Sequence, residues 1–120
     1  MKKVLFIDDD ASLTRVYHQR LSAEGYEVIS AATAEDGLKI LETNQPDLVV
    51  LDIMLPGAMS GMDLLEKIKR DYKLNKIPTI MLSNIDSHMV KSLELGATWY
   101  FVKANSSLDE VIKKVKSIIG

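Results

Sequence analysis

The chain has 120 residues, enough for one domain with a single core, and its 47% hydrophobic and 27% charged residues are typical of a globular protein. A net charge of -2 gives no general argument for binding nucleic acid or a membrane surface, and the lack of cysteine excludes disulfides, thiolate catalysis and thiolate-bound zinc. No apolar run approaches the ~20 residues that span a bilayer, and acidic residues follow the N-terminal lysines too closely for a signal peptide, so we expect a cytoplasmic protein.

Five short apolar segments alternate with helix-like stretches along the chain. The segments at 48–52 and 79–83 are nearly continuous apolar runs, which is typical of strands covered on both faces. The pattern predicts a parallel sheet with helices on either side, that is, a (βα)5 doubly wound α/β domain over residues 1–120. The predicted strands are Lys3–Asp8, Glu27–Ala31, Leu48–Asp52, Thr79–Ser83 and Trp99–Val102.

Capping signals mark the ends of the predicted helices. Thr33, Asp86 and Ser107 are suited to N-cap the second, fourth and fifth helices. Gly25 and Gly96 are suited to follow the ends of the first and fourth helices. Apolar residues at helical spacing complete the pattern, namely Leu13, Val16, Tyr17 and Leu21 in the first helix, Leu64, Leu65 and Ile68 in the third, and Met89, Val90 and Leu93 in the fourth.

The stretch VLFIDDDAS at 4–12 places three carboxylates directly after an apolar segment. Two carboxylates about 4 Å apart repel by roughly 1 kcal/mol in bulk water and roughly 4 kcal/mol at an effective dielectric constant near 20, so the cluster requires a reason. We expect Asp10 to favour the N-terminus of the first helix. Asp8 and Asp9 then remain as a pair at the end of the first strand.

Polar side chains also follow the other central strands: Asp52 the third, Ser83 the fourth and Lys103 the fifth. In an open parallel sheet, ligands bind beyond the carboxyl ends of the strands, near the topological switch point. If the first and third strands are neighbours, three carboxylates meet in one pocket with a hydroxyl and an ammonium beside them. Such a set suits Mg²⁺, which prefers hard oxygen ligands, and it suits phosphoryl transfer to a carboxylate nucleophile.

Four motifs at these strand ends resemble those of the receiver domains of two-component response regulators. They are DDD at 8–10, LDIMLPG at 51–57, MLSN at 81–84 and YFVKA at 100–104. The resemblance covers essentially the whole chain and implies a flavodoxin-like sheet with strand order 2-1-3-4-5. It also implies a phosphoacceptor signalling domain of a phosphorelay, with no effector domain in this chain.

By this resemblance, Asp52 accepts a phosphoryl group from the phosphohistidine of a sensor histidine kinase or phosphotransfer protein. Asp9 and Asp52 ligate Mg²⁺ directly, with the main-chain carbonyl of Met54 as the third protein ligand, and Mn²⁺ can substitute. Asp8 acts mainly through metal-bound water. The domain catalyses only its own phosphorylation and dephosphorylation, so it is not a classical enzyme.

The resemblance also implies roles for three more residues once Asp52 is phosphorylated. Ser83 hydrogen-bonds one phosphoryl oxygen, and Lys103 pairs with another as a point charge on a flexible stem. Tyr100 matches a switch aromatic that turns inward when the hydroxyl residue moves toward the phosphate. The signal is expected to emerge on the face formed by the fourth helix, fifth strand and fifth helix, where a downstream partner or a second copy of the chain binds.

Three positions depart from the family pattern. Ala104 replaces the proline that usually follows the lysine, so we expect a trans peptide bond there, or a strained cis bond. Gly61 lies nine residues after Asp52 rather than eight, which indicates one extra residue in the intervening loop. Asn84 stands where a smaller residue is usual, and its amide is expected to narrow access to Asp52.

Two other functions remain open at the level of sequence. DDDAS can be parsed as D-x-D-x-S, similar to the nucleophile motif of haloacid-dehalogenase-type phosphatases, with Asp8 as the nucleophile. That family also needs an acidic group after its last catalytic strand, and KANSS offers none. The second alternative is a receiver-like protein-binding module that works without phosphate. A flavin or dinucleotide site is less favoured, because neither glycine-rich phosphate-binding motif is present.

Overall fold

The computed structural model describes all residues from 1 to 120 as five parallel strands that alternate with five α-helices. The strands are β1 (Lys3–Ile7), β2 (Glu27–Ala31), β3 (Leu48–Leu51), β4 (Thr79–Ser83) and β5 (Trp99–Val102), and the helices are α1 (Ala11–Ala23), α2 (Ala34–Thr43), α3 (Gly61–Arg70), α4 (Met89–Leu95) and α5 (Leu108–Ile119). The strand order β2-β1-β3-β4-β5 confirms the predicted flavodoxin-like sheet. None of the helices combines the length and apolar character that a membrane crossing requires.

The alternation of side chains along the central strands divides the core into two layers. In β1, Leu5 and Ile7 face one side of the sheet, and Val4 and Phe6 face the other. Helices α2, α3 and α4 cover the first side, and α1 and α5 cover the second, where Phe6 stacks on Tyr17 with ring centroids 4.8 Å apart. Both faces of the sheet are therefore buried, which explains the continuous apolar runs of the sequence.

Strands β1 and β3 each end one residue earlier than predicted, at Ile7 and Leu51. The two strands are parallel neighbours, and Ile7 lies opposite Leu51 in the register. Asp8 and Asp52, the next residues along the chain, therefore leave the sheet side by side. Their backbones stay attached to it, because the N–H of Asp52 donates to the carbonyl of Ile7 at 3.0 Å.

Most of the predicted helix caps are present. Thr33 caps α2 by accepting a hydrogen bond from the N–H three residues on, and Ser107 opens a capping box at the start of α5. Asp10 caps α1 in the same way, so its carboxylate belongs to the helix. Gly25 and Gly96 follow the ends of α1 and α4 with φ of 96° and 111°, a region that glycine tolerates best.

The prediction that Asp86 caps α4 is wrong. The helix begins three residues later, at Met89, and its N-cap, His88, makes no side-chain hydrogen bond. The main-chain carbonyl of Asp86 instead accepts a hydrogen bond from the N–H of Met89 at 3.1 Å, as part of a turn. Val90 and Leu93 are 68% and 42% exposed, so the apolar spacing of α4 did not identify a buried face.

Helix α3 begins against the backbone that carries Asp52. Ser60 and Asp63 form a capping box there that the sequence analysis did not identify. The N–H of Gly61 donates to the carbonyl of Ile53 at 2.8 Å, and a Cβ at Gly61 would lie 1.9 Å from the carbonyl oxygen of Asp52. Only glycine allows this approach, which fixes the chain on both sides of the loop after β3.

Replacing Gly61 with alanine is expected to lower the free energy of unfolding by about 3 kcal/mol, because the added methyl group overlaps backbone atoms that cannot rotate away. Urea denaturation measures the change. Gly25→Ala is the matched control, since its Cβ would meet nothing within 4 Å, and only the positive φ opposes it, at about 1 kcal/mol. Equal losses in the two variants would contradict the steric explanation.

Candidate functional site

Three carboxylates converge at the carboxyl edge of the sheet. One ligand oxygen from each of Asp8, Asp9 and Asp52 lies within 4.8 Å of the other two. Asp8 and Asp52 are buried, whereas Asp9 is exposed. The convergence inferred from strand ends is therefore present, and it follows from the pairing of β1 with β3. A cluster of carboxylate oxygens with one open side has the donor chemistry of a Mg²⁺ site.

One ammonium group lies among these carboxylates. Lys103 Nζ is 2.8 Å from Asp8 Oδ2 and 3.3 Å from Asp52 Oδ2. The chain contains no cis peptide bond, so the Lys103–Ala104 bond is trans, and a 3-10 turn at Lys103–Asn105 follows directly. The lysine therefore reaches the acids without the proline that is usual at the next position.

The charges in the cluster are not balanced. Burial raises the pKa of Asp52 above its ordinary value, and the neighbouring charge of Asp8 raises it further, which outweighs the lowering by Lys103 and by the N–H of Met54. Burial alone would lower the pKa of Lys103, but the hydrogen bonds and charges of Asp8 and Asp52 hold it above its usual range. The lysine therefore stays charged, and the ionised form of Asp52 is destabilised.

The backbone after β3 supports the carboxylate of Asp52. The N–H of Met54 donates to Asp52 Oδ1 at 3.3 Å, while the Met54 side chain is 61% exposed at the rim of the site. A pocket of about 650 Å³ opens beside Asp8 and Asp9 and is lined on one side by Thr14 and Arg15 of α1. The acidic cluster is therefore reachable from solvent although two of its carboxylates are buried.

Ser83 and Tyr100 both bind the main chain of one residue in the loop after β4, Ile85. Ser83 is fully buried, and its Oγ accepts a hydrogen bond from the N–H of Ile85 at 3.4 Å. The hydroxyl of buried Tyr100 donates to the carbonyl of the same Ile85 at 2.5 Å. Burial is the main reason that the pKa of Tyr100 is raised. Tyr100 therefore faces inward. Asn84, which lies between Ser83 and Ile85 in the sequence, is exposed.

Sequence reasoning did not identify Ile85 as part of this arrangement. Its role comes from its main-chain N–H and carbonyl, and any residue type supplies these groups. A hydroxyl two residues before it and a tyrosine on the next strand are the only signals that the sequence contains.

Comparisons with known proteins agree with this geometry. The sequence profile described as "Response regulator receiver domain" matches residues 4–116. The chain is 38% identical over 120 residues to the alkaline phosphatase synthesis transcriptional regulatory protein PhoP of Bacillus subtilis, over 98% of this chain and 48% of that protein. A CheY-like receiver domain of Methanospirillum hungatei is 35% identical with a TM-score of 0.89, over 98% and 92% of the two chains. The BeF3-activated receiver domain of Klebsiella pneumoniae RstA is 26% identical with a TM-score of 0.87, over 98% and 97%.

The chain belongs to the receiver domains of two-component response regulators. Domains of this family are signalling domains and in general not classical enzymes, and they typically bind Mg²⁺. The phosphoacceptor function inferred from the sequence is therefore confirmed at the level of the family, and the alternative functions are not favoured. The chain spans about half the length of the curated relatives it matches, for example 48% of PhoP.

Replacing Asp52 with asparagine is expected to raise the free energy of unfolding by about 1 kcal/mol in metal-free protein at neutral pH, because repulsion from Asp8 is removed. The sign follows from the raised pKa of Asp52. When the pKa of a carboxyl group is higher in the folded than in the unfolded state, the free energy of unfolding falls as the pH rises toward the folded-state pKa, because ionisation then favours the unfolded state. Urea denaturation in the presence of a chelator measures the change.

Lys103→Met is expected to change the free energy of unfolding in the opposite direction to Asp52→Asn. It leaves Asp8 and Asp52 without their shared cation, so we expect a loss of roughly 2 kcal/mol under the same conditions. A loss of stability in both variants, or a gain in both, would contradict the imbalance of charge described for the cluster.

Proposed function

We propose that residues 1–120 act as one receiver domain in which Asp52 accepts a phosphoryl group from the phosphohistidine of a sensor histidine kinase or phosphotransfer protein. The observation that carries the proposal is the convergence of Asp8, Asp9 and Asp52 around the ammonium of Lys103. A carboxylate nucleophile, a cation site and an ammonium are the groups that phosphoryl transfer requires. The open pocket beside Asp8 and Asp9 leaves these two members of the cluster accessible to an ion from solvent.

The oxygen donors of the cluster fit Mg²⁺, and Mn²⁺ is expected to substitute for it. We assign Asp9 and Asp52 as direct ligands, with the main-chain carbonyl of Met54 as the third, and Asp8 as a residue that acts through metal-bound water. The bound cation would neutralise charge on the phosphoryl oxygens. Asp8 is the carboxylate closest to Lys103, which favours an indirect role for it.

The transfer itself joins Asp52 to phosphorus. A carboxylate oxygen of Asp52 attacks the phosphorus atom, the bond from phosphorus to the donor's imidazole nitrogen breaks, and an acyl phosphate results. Lys103 Nζ lies 3.3 Å from Asp52 Oδ2 in the unphosphorylated protein. After transfer it pairs with one phosphoryl oxygen, and the Ser83 hydroxyl donates to another. Attack by water on the acyl phosphate later restores the carboxylate.

The same residues can transmit the change to a distant face. Ser83 Oγ and the Tyr100 hydroxyl bind the N–H and the carbonyl of Ile85, so a new bond from Ser83 to phosphate alters the loop that precedes α4. We propose that the signal reaches a downstream partner or a second copy of the chain through the face formed by α4, β5 and α5. Exposed Val90 and Trp99, at 68% and 45%, offer apolar contact area on that face.

We also propose a cytoplasmic location without direct contact to nucleic acid or membrane. The phosphohistidine donor is cytoplasmic in such a relay, and the net charge of -2 gives no general argument for binding nucleic acid.

Incubation with a small-molecule phosphodonor and Mg²⁺ is expected to add one phosphoryl group, located at Asp52 by mass spectrometry of peptides. Asp52→Asn should abolish the modification, and so should a chelator. Asp10→Asn is the matched control, because asparagine caps a helix as well as aspartate does and should leave phosphorylation intact. Modification of Asp8 would support the phosphatase alternative, and equal labelling of the Asp52→Asn variant would refute the proposal.

Asn84 is exposed and directly follows Ser83, and we propose that its amide narrows access to Asp52. Asn84→Ala is then expected to speed both phosphorylation by a small donor and hydrolysis of the acyl phosphate, by about threefold each. Stopped-flow mixing and the decay of phosphoprotein give the two rates. Unchanged rates would remove Asn84 from the site.

A further inference from the structure

The two ends of the loop after β3 are joined by a hydrogen bond. The Gly61 N–H bonds to the carbonyl of Ile53 and closes the base of the loop, so residues 54–60 extend away from it. Met54, two residues after Asp52, is the first residue of the loop, and the loop is one residue longer than the family spacing implies. A longer loop has more conformations to lose when it becomes ordered, so the position of Met54 depends on what holds the loop.

Glu35 holds the far part of this loop from a different element. It lies in the first turn of α2, and its Oε2 accepts a hydrogen bond from the N–H of Met59 at 3.0 Å. Gly57 has a φ of 99°, and a Cβ at this position would lie 3.1 Å from Glu35 Oε1. Glycine at position 57 therefore lets the carboxylate approach the loop backbone closely, and both carboxylate oxygens face the loop.

Glu35 is not a further member of the acidic cluster. The carboxylates whose oxygens converge are those of Asp8, Asp9 and Asp52. Glu35 Oε2 instead accepts the hydrogen bond from Met59, and Oε1 lies on the side of Gly57 where a Cβ would be, so the residue acts on the loop and not on an ion. Its half-buried position strengthens such a bond, because a hydrogen bond to a charged acceptor is stronger where water competes less.

We propose that Glu35 is a positioning residue for the metal site: it fixes the β3–α3 loop so that the Met54 carbonyl is in place before Mg²⁺ binds. The inference rests on the proposed function, which assigns that carbonyl as a ligand. Leu55 and Met59 also pack against the core, so loss of the Glu35 contact loosens the loop rather than freeing it. Mg²⁺ binding must then restore the remaining order, so its affinity falls while the chemistry at Asp52 is unchanged once the metal is bound.

Three variants separate this role from a general loss of stability. Glu35→Ala removes the acceptor, Glu35→Gln keeps an oxygen that can accept from Met59, and Asp36→Ala removes a neighbouring carboxylate from the same helical turn. Asp36 is exposed, and its side chain makes no hydrogen bond to the loop. The measurements are calorimetric titration with Mg²⁺ alone, amide hydrogen exchange of Met59 in metal-free protein, and phosphorylation rate as a function of Mg²⁺ concentration.

Glu35→Ala is expected to raise the Mg²⁺ dissociation constant by about three- to tenfold, the loss of one hydrogen bond to a charged acceptor. The phosphorylation rate at saturating Mg²⁺ should stay within about twofold of wild type. Exchange of the Met59 amide should become about tenfold faster. Asp36→Ala should resemble wild type, and Glu35→Gln should lie between wild type and Glu35→Ala, because its oxygen can accept the bond but carries no charge.

Several results would overturn the inference. They are an Mg²⁺ affinity in Glu35→Ala equal to that of wild type, an equal loss in Asp36→Ala, or a Glu35→Gln variant as weak as Glu35→Ala. Failure of the proposed function looks different, since wild-type protein would then bind no Mg²⁺ and accept no phosphoryl group. Met59 exchange reports on the Glu35 contact in metal-free protein, so it separates the two failures.

Discussion

The ammonium of Lys103 is shared between carboxylates from two neighbouring strands, and the organisation of the site depends on this interaction. Lys103 Nζ contacts Asp8 and Asp52, but a third carboxylate, that of Asp9, joins the same cluster. One cation therefore faces three anions, and burial of two of them strengthens their repulsion. The fold holds these groups together because the backbones of β1 and β3 are locked in register. The resulting excess of negative charge favours the entry of a divalent cation.

The arrangement around Ile85 links this cluster to the surface proposed for output. Ser83 and Tyr100 lie on adjacent strands and bind the N–H and the carbonyl of one residue, Ile85. The loop that contains Ile85 leads into α4, a helix of only seven residues with no side-chain cap and with exposed apolar residues. A weakly anchored helix next to a charge-sensitive loop is a suitable two-state element, because a small change in hydrogen bonding can shift its position.

The residues of the site could be predicted from sequence because they all lie at the carboxyl ends of strands of one parallel sheet. Asp8, Asp52, Ser83 and Lys103 come directly after apolar segments, and parallel strands end at the same edge. The apolar pattern does not say which strands are neighbours, so the strand order depended on the resemblance to receiver domains. The roles of individual side chains in phosphoryl transfer were likewise implied by that resemblance.

Other features left no sufficient signal in the sequence. Asp86 is a good capping residue, but the turn at 86–89 uses its main-chain carbonyl, and local preference does not distinguish the two uses. Val16 fits the apolar spacing of α1 and is still 42% exposed, because burial depends on what packs against a helix and not on spacing alone. The contacts of Ile85 and Glu35 depend on backbone groups brought together by folding, which no motif encodes.

The central claim is that the acidic cluster is destabilising until a divalent cation neutralises it. Thermal unfolding of the wild-type chain over a range of Mg²⁺ concentrations, at constant ionic strength, tests this claim most directly. A ligand that binds only the folded state stabilises it by about 2.7 kcal/mol at a hundred times its dissociation constant, so the account predicts a midpoint that rises steadily with Mg²⁺. A midpoint that is the same in Mg²⁺ and in sodium chloride of equal ionic strength would contradict it.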